Sequence, residues 1–156
     1  MFVGHYSAAL AAKAVEPRGP LWAYVAAAAW AVPSGACAAE VTGLWLTPTD
    51  GGQVPITACG ASVCGHLVTG ARIKADPSLK DAKNKNPALR SRTLKGLPLI
   101  QGFKGAGGSW SGGTIYNPDD GNIYKASLKL IDPDTLQVKG CVVAPLCKTQ
   151  IWKRVK

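Results

Sequence analysis

The chain has 156 residues, with 18 Lys and Arg against 9 Asp and Glu, and its formal net charge is +9. That length accommodates one domain of ordinary size and excludes most multidomain enzymes. Charged residues make up 17% of the chain and hydrophobic residues 47%, a balance that excludes intrinsic disorder. The 18 Gly and 11 Pro indicate frequent turns and favour an all-β architecture.

The N-terminal 39 residues differ from the rest because they are rich in Ala and lack strand-like alternation. Residues 21–32 (LWAYVAAAAWAV) form an apolar run that is shorter than the ~20 residues of a membrane-spanning helix. Lys13 and Arg18 precede this run, and Pro33 and the small residues 34–38 follow it, which is the pattern of a secretory signal. We therefore predict a leader over residues 1–39, helical where it is structured, and a mature domain over residues 40–156. A buried N-terminal helix is the alternative.

The end of the leader bears on localisation. Ser34-Gly35-Ala36-Cys37 is similar to a lipoprotein cleavage box, whose Cys receives lipid, but Ser34 stands where that box has an aliphatic residue. We predict a periplasmic or secreted protein, with lipid anchoring through Cys37 as the minor alternative.

The chain contains five Cys, and removal of the leader leaves Cys59, Cys64, Cys141 and Cys147. An even number of Cys in an exported domain indicates disulfides. Local pairing of 59 with 64 and of 141 with 147 is the simplest of three connectivities, and each short loop would stabilise the domain by about 2 kcal/mol. A four-Cys zinc site is the alternative, but four and five intervening residues fit the spacing of structural zinc ligands poorly. No metal is expected.

Short apolar runs separated by turn signals follow residue 40 and predict eight strands. The clearest is 124–130 (YKASLKL), in which apolar and polar residues alternate as they do in a half-buried strand. Turn sequences stand at 117–121 (NPDDG) and 132–135 (DPDT). Eight antiparallel strands can close into an up-and-down barrel, which removes the exposed sheet edges. The predicted strands are 41–47, 54–58, 64–73, 97–103, 110–117, 122–131, 136–143 and 148–155.

One connection, residues 72–95, carries eight basic and two acidic residues and hence most of the net charge of the mature chain. Within this basic segment, Asn86 followed by Pro87 predicts a short helical turn that Asn86 caps. We expect the segment to be a loop that covers one mouth of the barrel.

A series of motifs resembles the bacterial family called domain of unknown function 2147, over essentially all of residues 40–156. The resemblance implies an exported, lipocalin-like barrel of no established enzymatic activity. Barrels of that kind carry a Gly-x-Trp motif on the first strand and pack a late Arg across its Trp. The resemblance therefore implies that Trp45 and Arg154 close the base of the barrel. The motifs are, in order, Gly43-Leu44-Trp45, Cys59-Gly60, Cys64-Gly65, NPALRSR at 86–92, WSGGTIYNP at 110–118, Gly140-Cys141 and CKTQIWKR at 147–154.

Residues 40–156 contain few side chains of the kinds that act in catalysis. His66 is the only His there and Glu40 the only Glu, and general acid–base catalysis normally recruits such groups. The Asp residues at 119, 120, 132 and 134 stand in turn sequences. The Gly-rich stretch 105–109 lacks the Lys of a phosphate-binding loop, and no nucleophile elbow is present. We predict a protein that is not an enzyme and has no cofactor.

The basic charge raises the question of anionic partners. The basic segment contains no aromatic residue on which bases could stack, so we do not expect nucleic acid to bind. Anionic components of the envelope, such as polymer phosphates or lipid head groups, are candidate partners, and Asn86, Arg90 and Arg92 are candidate ligand-binding residues of a segment that selects anionic ligands or surfaces. The alternative is a solvated loop whose charge keeps the protein in solution.

The barrel interior supplies the remaining candidates. If Trp110 faces inward, strict alternation places Gly112, Thr114 and Tyr116 inward as well, while Tyr124, Ala126 and Leu128 form the adjacent wall. We predict that Trp110, Tyr116 and Tyr124 contact a small apolar or amphipathic ligand, with a place in the core as the alternative for each of them, and that Trp45 and Trp152 belong to the core. The alternatives are a protein-interaction or protease-inhibitor module and a structural or stress protein of the envelope.

Overall fold

The computed structural model describes residues 40–156, which form eight strands and two short helical elements. All eight predicted strands are present. Asn86 caps the 3-10 helix η1, because its side chain accepts a hydrogen bond from the backbone amide of Ala88 at 3.1 Å. The elements are β1 Gly43–Leu46, β2 Gln53–Cys59, β3 Ser62–Leu67, α1 Ala71–Ala75, η1 Pro87–Leu89, β4 Leu97–Ala106, β5 Ser109–Asn117, β6 Asn122–Asp132, β7 Thr135–Val143 and β8 Leu146–Arg154.

The strands form a closed, antiparallel, up-and-down barrel, as the sequence predicts. Each strand pairs with its neighbour in sequence, and β1 pairs with β8 through Trp45 opposite Arg154 and Leu46 opposite Lys153. In this topology, the connections that follow β1, β3, β5 and β7 lie at one end, which we call the mouth. The connections after β2, β4 and β6 lie at the other end, the base.

The third strand is shorter than predicted. It ends at Leu67 rather than at residue 73, and residues 71–75 form the helix α1. The backbone amide of Ala71 donates to the carbonyl of Asp50 in the β1–β2 connection, and the amide of Lys74 donates to the carbonyl of Gly70. These bonds turn the chain across the mouth. Ile73 is therefore the buried residue of α1 rather than a residue of a strand.

The fifth strand contains a bulge that changes which residues face inward. The pairing of β5 with β6 shifts register between Trp110 and Gly113, and Gly112 has a positive φ of 74°. After the bulge, Gly113 packs beneath the Phe103 ring. Strict alternation from Trp110 therefore fails, and Ile115 rather than Thr114 faces the interior.

The core is built from side chains of all eight strands. Trp45 and Trp152 are 0% and 1% exposed, which confirms their predicted place in the core. Trp110 and Phe103 are also buried. Trp45, Trp110 and Phe103 do not border the cavity described below, so the barrel is filled in one part and hollow in another.

Two disulfides join adjacent strands. Cys59 pairs with Cys64 in the β2–β3 hairpin, and Cys141 pairs with Cys147, which lies directly opposite it on β8. The Cα atoms are 5.9 and 4.0 Å apart, respectively. Disulfides of this kind are typical of oxidising compartments outside the cytosol.

The predicted leader, including the Cys37 that would carry a lipid, lies outside the described residues. Within residues 40–156, no helix has both the length and the apolar character that a membrane crossing requires.

Candidate ligand-binding site

A cavity of about 490 Å³ opens at the mouth of the barrel. Its wall is mainly apolar and comes from strands β3 to β8, from the β1–β2 connection, from α1 and from the end of the basic segment. The apolar lining residues are Leu67, Ile73, Leu94, Leu99, Ile115, Val138, Val142, Leu146 and Trp152. Volume and composition are those of a site for one small ligand.

The cavity remains open at mid-height because Gly140 contributes no side chain. A Cβ at this position would lie 3.3 Å from Ile115 and 3.6 Å from Tyr124, closer than ordinary packing to the first of these. Ile115 and Tyr124 are themselves opposite each other in the β5–β6 ladder. Gly140, Ile115 and Tyr124 therefore form one patch of the wall on the adjacent strands β5, β6 and β7, and Val138 is the next lining residue toward the base on β7.

Arg72 spans the mouth of the cavity. Its guanidinium pairs with Asp50 in the β1–β2 connection and, at 2.7 Å, with Asp119 in the β5–β6 connection. Burial lowers the pKa of Arg72, but the bonds to Asp119 and Asp50 outweigh it and leave the pKa raised. Because these two connections belong to different sides of the barrel, α1 is held across the mouth as a lid.

Tyr124 and Asp120 form the polar edge of the cavity. The Tyr124 hydroxyl donates to the Asp120 carboxylate at 2.5 Å, and this bond raises the pKa of Tyr124. Partial burial of Asp120 acts to raise its pKa, but hydrogen bonds from Tyr124, Asn122 and Asn117 lower it overall. The Asp120 carboxylate therefore already has hydrogen-bond donors, and its bond to Tyr124 holds the phenol ring of that residue against the cavity wall.

Lys148 is the cavity-lining cation that the other residues leave free. It is exposed on β8, opposite Gly140, and its side chain forms no ion pair or hydrogen bond with any residue of the described range 40–156. Arg72, by contrast, is paired with two carboxylates. Lys148 is thus the ammonium available to the polar end of a ligand.

The predicted contacts in the basic segment lie elsewhere, around a buried carboxylate. Asp81 is 1% exposed and accepts hydrogen bonds from Tyr116 at 2.5 Å, from Asn84 at 2.8 Å and from Arg92 at 2.9 Å. The Arg92 guanidinium also lies 5.3 Å from the centre of the Tyr116 ring. Arg92 and Tyr116 therefore anchor the basic segment to β5.

Two further residues of this group have structural partners. Arg90 donates to the backbone carbonyl of Asn84 at 2.8 Å, and Asn86 caps η1. Burial, followed by the bond to Asp81, raises the pKa of Tyr116 to about 12. The segment folds around Asp81 because that buried carboxylate needs hydrogen-bond donors, which Asn84 and Arg92 of the segment and Tyr116 of β5 supply.

A second groove of about 440 Å³ lies beside this cluster. It includes Asn86, Arg92 and Tyr116 together with Thr114 and Gln101, a cross-strand pair of β4 and β5. Tyr116 borders both the groove and the cavity, whereas Tyr124 borders the cavity alone. Trp110 and Arg90 border neither.

Sequence reasoning did not find Arg72, Lys148 or Val138 as site residues. Val138 carried a signal, since it stands in a predicted strand among apolar neighbours. Arg72 and Lys148 carried none, because the sequence does not show which basic residues are paired with a carboxylate and which are not.

His66 is exposed on β3 and does not line the cavity. No cluster of three or more His, Cys, Asp or Glu side chains that could hold a metal occurs in residues 40–156.

At the N-terminal end of β1, Arg154 lies over Trp45, with its guanidinium 4.3 Å from the ring centre. It donates to the backbone carbonyls of Thr42 at 2.7 Å, Glu40 at 2.9 Å and Pro133 at 2.6 Å. Gly43 has a φ of 135°, and a side chain there would collide with the guanidinium. Gly43 and Trp45 of the Gly-x-Trp motif thus provide the space and the ring that Arg154 occupies.

Comparison with solved structures shows the same fold in protein HP1028 from the human pathogen Helicobacter pylori, which is described as belonging to the lipocalin family. The TM-score is 0.66 and the sequence identity 23%, and the match covers 74% of this chain and 82% of that one. Among curated proteins, no sequence matches significantly. The model of one protein family matches residues 43–154, which include every strand of the barrel. The chain therefore belongs to the family described as uncharacterized protein conserved in bacteria (DUF2147).

Proposed function

We propose that the protein binds a small apolar or amphipathic ligand in the barrel cavity and carries out no catalysis on it. The observation that supports this proposal is the hollow, mainly apolar space of about 490 Å³ at the mouth. An eight-stranded barrel can be filled entirely by its own side chains, whereas this one is filled in only one part. The lipocalin-like fold is consistent with such a role.

The apolar part of the ligand would occupy the space between Ile115, Val138 and Trp152, which line the cavity wall. Its polar end would lie at the mouth, where Lys148 offers an unpaired ammonium. Since Asp50, Asp119 and Asp120 already have partners, the free charge is positive. We therefore infer an amphipathic ligand with an anionic end.

The compartment follows from the disulfides and the predicted leader together. We infer a periplasmic or secreted carrier, because disulfides persist outside the cytosol and residues 1–39 have the pattern of an export signal.

The first experiment is native mass spectrometry of the protein purified from its own host. A retained small molecule, lost on denaturation, is the expected result. Binding is then measured by fluorescence with two probes of similar size, the anionic anilinonaphthalene sulfonate and the neutral N-phenylnaphthylamine. We expect both probes to bind, because the cavity accepts the apolar part of each.

Two matched variants locate that binding. Val138→Trp fills the cavity and should abolish binding of both probes, whereas Ile151→Trp, on the outward face of β8, should leave it unchanged. Lys148→Gln should lower the affinity for the anionic probe by about tenfold, because one partly exposed ion pair and its hydrogen bond are lost. The affinity for the neutral probe should not change. Equal binding by Val138→Trp and the wild type would overturn the proposal.

A further inference from the structure

The tip of the β7–β8 hairpin is the most concentrated apolar surface of the described chain. Val142, Val143 and Leu146 are 70%, 64% and 68% exposed, and they stand within five consecutive residues. Two small apolar residues, Ala144 and Pro145, lie between them and are exposed as well. Such a patch indicates an interaction surface rather than ordinary surface composition.

The hairpin is held in shape by a covalent bond. Cys141 and Cys147 join its two strands directly below the tip. The apolar side chains are therefore presented by a pre-formed element, which lowers the conformational entropy lost on binding.

Basic residues flank the tip on both sides. Lys125 on β6 is opposite Cys141, and Lys148 follows Cys147 on β8. Both are exposed, and neither has an ion-pair partner within residues 40–156. An apolar tip between free ammonium groups complements the interface of an anionic bilayer, where acyl chains lie beneath negative head groups.

The charge of the whole mouth has the same sign. Its four connections carry eight basic and five acidic residues, a net charge of +3, whereas the three connections and the described chain ends 40–42 and 155–156 at the base carry only Glu40, Asp134 and Lys156, a net charge of −1. The base therefore offers no comparable attraction. Electrostatic orientation of the molecule would bring the mouth toward a negative surface.

We propose that the mouth of the barrel docks on an anionic lipid bilayer, with the tip of the β7–β8 hairpin inserted among the head groups. Val142 and Leu146 also line the cavity, so insertion of the tip places the opening of the cavity at the lipid surface. Docking does not depend on what the cavity holds, and it is measured with protein alone.

The test is co-sedimentation of the purified protein with vesicles. Vesicles of phosphatidylcholine containing phosphatidylglycerol should retain the protein, vesicles of phosphatidylcholine alone should retain much less, and added salt should release it. Val143→Asp places a negative charge at the tip outside the cavity lining. It should lower the partition coefficient by about tenfold, because it removes apolar contact and adds repulsion.

Two controls separate docking from general effects on charge. Ile131→Asp makes the same change at an exposed Ile near the base and should leave partitioning unchanged. Lys125→Gln should reduce both the partition coefficient and its salt dependence, whereas Lys129→Gln, at an exposed Lys nearer the base on the same strand, should not. These four residues lie outside the cavity lining, so probe binding reports separately on the proposed function.

Three results would overturn docking. The first is no preference for anionic vesicles, and the second is an equal loss from Val143→Asp and Ile131→Asp. The third is a dimer in solution that Val143→Asp converts to monomers without any vesicle binding, which would assign the tip to a second copy of the chain. Retained probe binding in any of these cases leaves the carrier proposal intact.

Discussion

The Arg154 guanidinium lies 4.3 Å from the centre of the Trp45 ring, at the point where the last strand of the barrel pairs with the first. The same guanidinium donates to three backbone carbonyls, those of Glu40, Thr42 and Pro133. One side chain therefore ties together the start of the barrel, its closing seam and the β6–β7 turn. Its planar arrangement of donors suits this task, and an ammonium cannot reproduce it.

Replacement of Arg154 by Lys should lower the free energy of unfolding by about 1–3 kcal/mol, because at least two hydrogen bonds to carbonyls are lost. Urea denaturation followed by Trp fluorescence measures the change. Lys156→Ala is the control, because Lys156 is an exposed cation near the same turn, paired with Asp134, and should leave stability essentially unchanged. An Arg154→Lys protein as stable as the wild type would show that the seam does not depend on the guanidinium.

The bond from Tyr116 to Asp81 predicts a pH dependence at the alkaline end. Burial and this bond raise the pKa of Tyr116 from 10.0 to about 12 in the folded protein. A raised pKa stabilises the fold fully below pH 10, and this contribution is lost as the pH rises toward about 12. Tyr116→Phe removes the donor, leaves the Asp81 carboxylate short of a partner, and should cost about 1–3 kcal/mol at neutral pH.

The difference in unfolding free energy between the wild type and Tyr116→Phe should therefore shrink between pH 10 and about 12. The two proteins share every other titratable group, so the contributions of those groups cancel from the difference. Tyrosinate absorbance gives a direct check, because the substitution should remove one late-titrating phenol. A constant difference across this range would contradict the assignment.

The ion pairs of Arg72 predict an effect on the rate at which a ligand leaves the cavity rather than on its affinity. Arg72→Gln frees α1 from the connections that contain Asp50 and Asp119. Dissociation of a bound fluorescent probe should become roughly fivefold faster, the equivalent of two exposed ion pairs. Stability should change by less than about 1 kcal/mol, because all three side chains are partly exposed.

Stopped-flow dilution of the probe complex measures this rate. Lys74→Gln removes a neighbouring charge from the same helix and should have no effect. A similar acceleration by both substitutions would assign the effect to net charge instead of to the lid.

The two disulfides should contribute separately to stability. Replacement of both Cys by Ser in either pair removes the cross-link that closes a short loop, and the chain-entropy model assigns about 2 kcal/mol of stabilisation to each cross-link. The bonds lie in different hairpins, so the two losses should add. Guanidinium denaturation of the two double variants and of the quadruple variant tests this expectation. If the quadruple variant loses much less unfolding free energy than the two double variants lose together, the two hairpins are energetically coupled.

Local features of the sequence determined the strands and turns of the barrel. The alternation of apolar and polar residues in 124–130 predicts β6, and Asn86 before Pro87 predicts η1. The close spacing of the Cys residues predicts two disulfide-linked hairpins. The physical reason is that periodicity, caps and turn chemistry act over a few residues. The resemblance that includes Gly43-Leu44-Trp45 and the late Arg154 added the expectation that Trp45 and Arg154 close the base of the barrel.

Only the tertiary structure decided which charges are free and which are occupied. Asp81 is buried with Tyr116, 35 residues away, and it turns the most basic stretch of the chain into a folded anchor. Arg72 is neutralised by Asp50 and Asp119, whereas Lys148 has no partner among the described residues and faces the cavity. Likewise, the bulge at Gly112 replaced Thr114 by Ile115 on the inner face. Contacts between distant segments have no local signature, since they depend on how the closed barrel brings its connections together at the mouth.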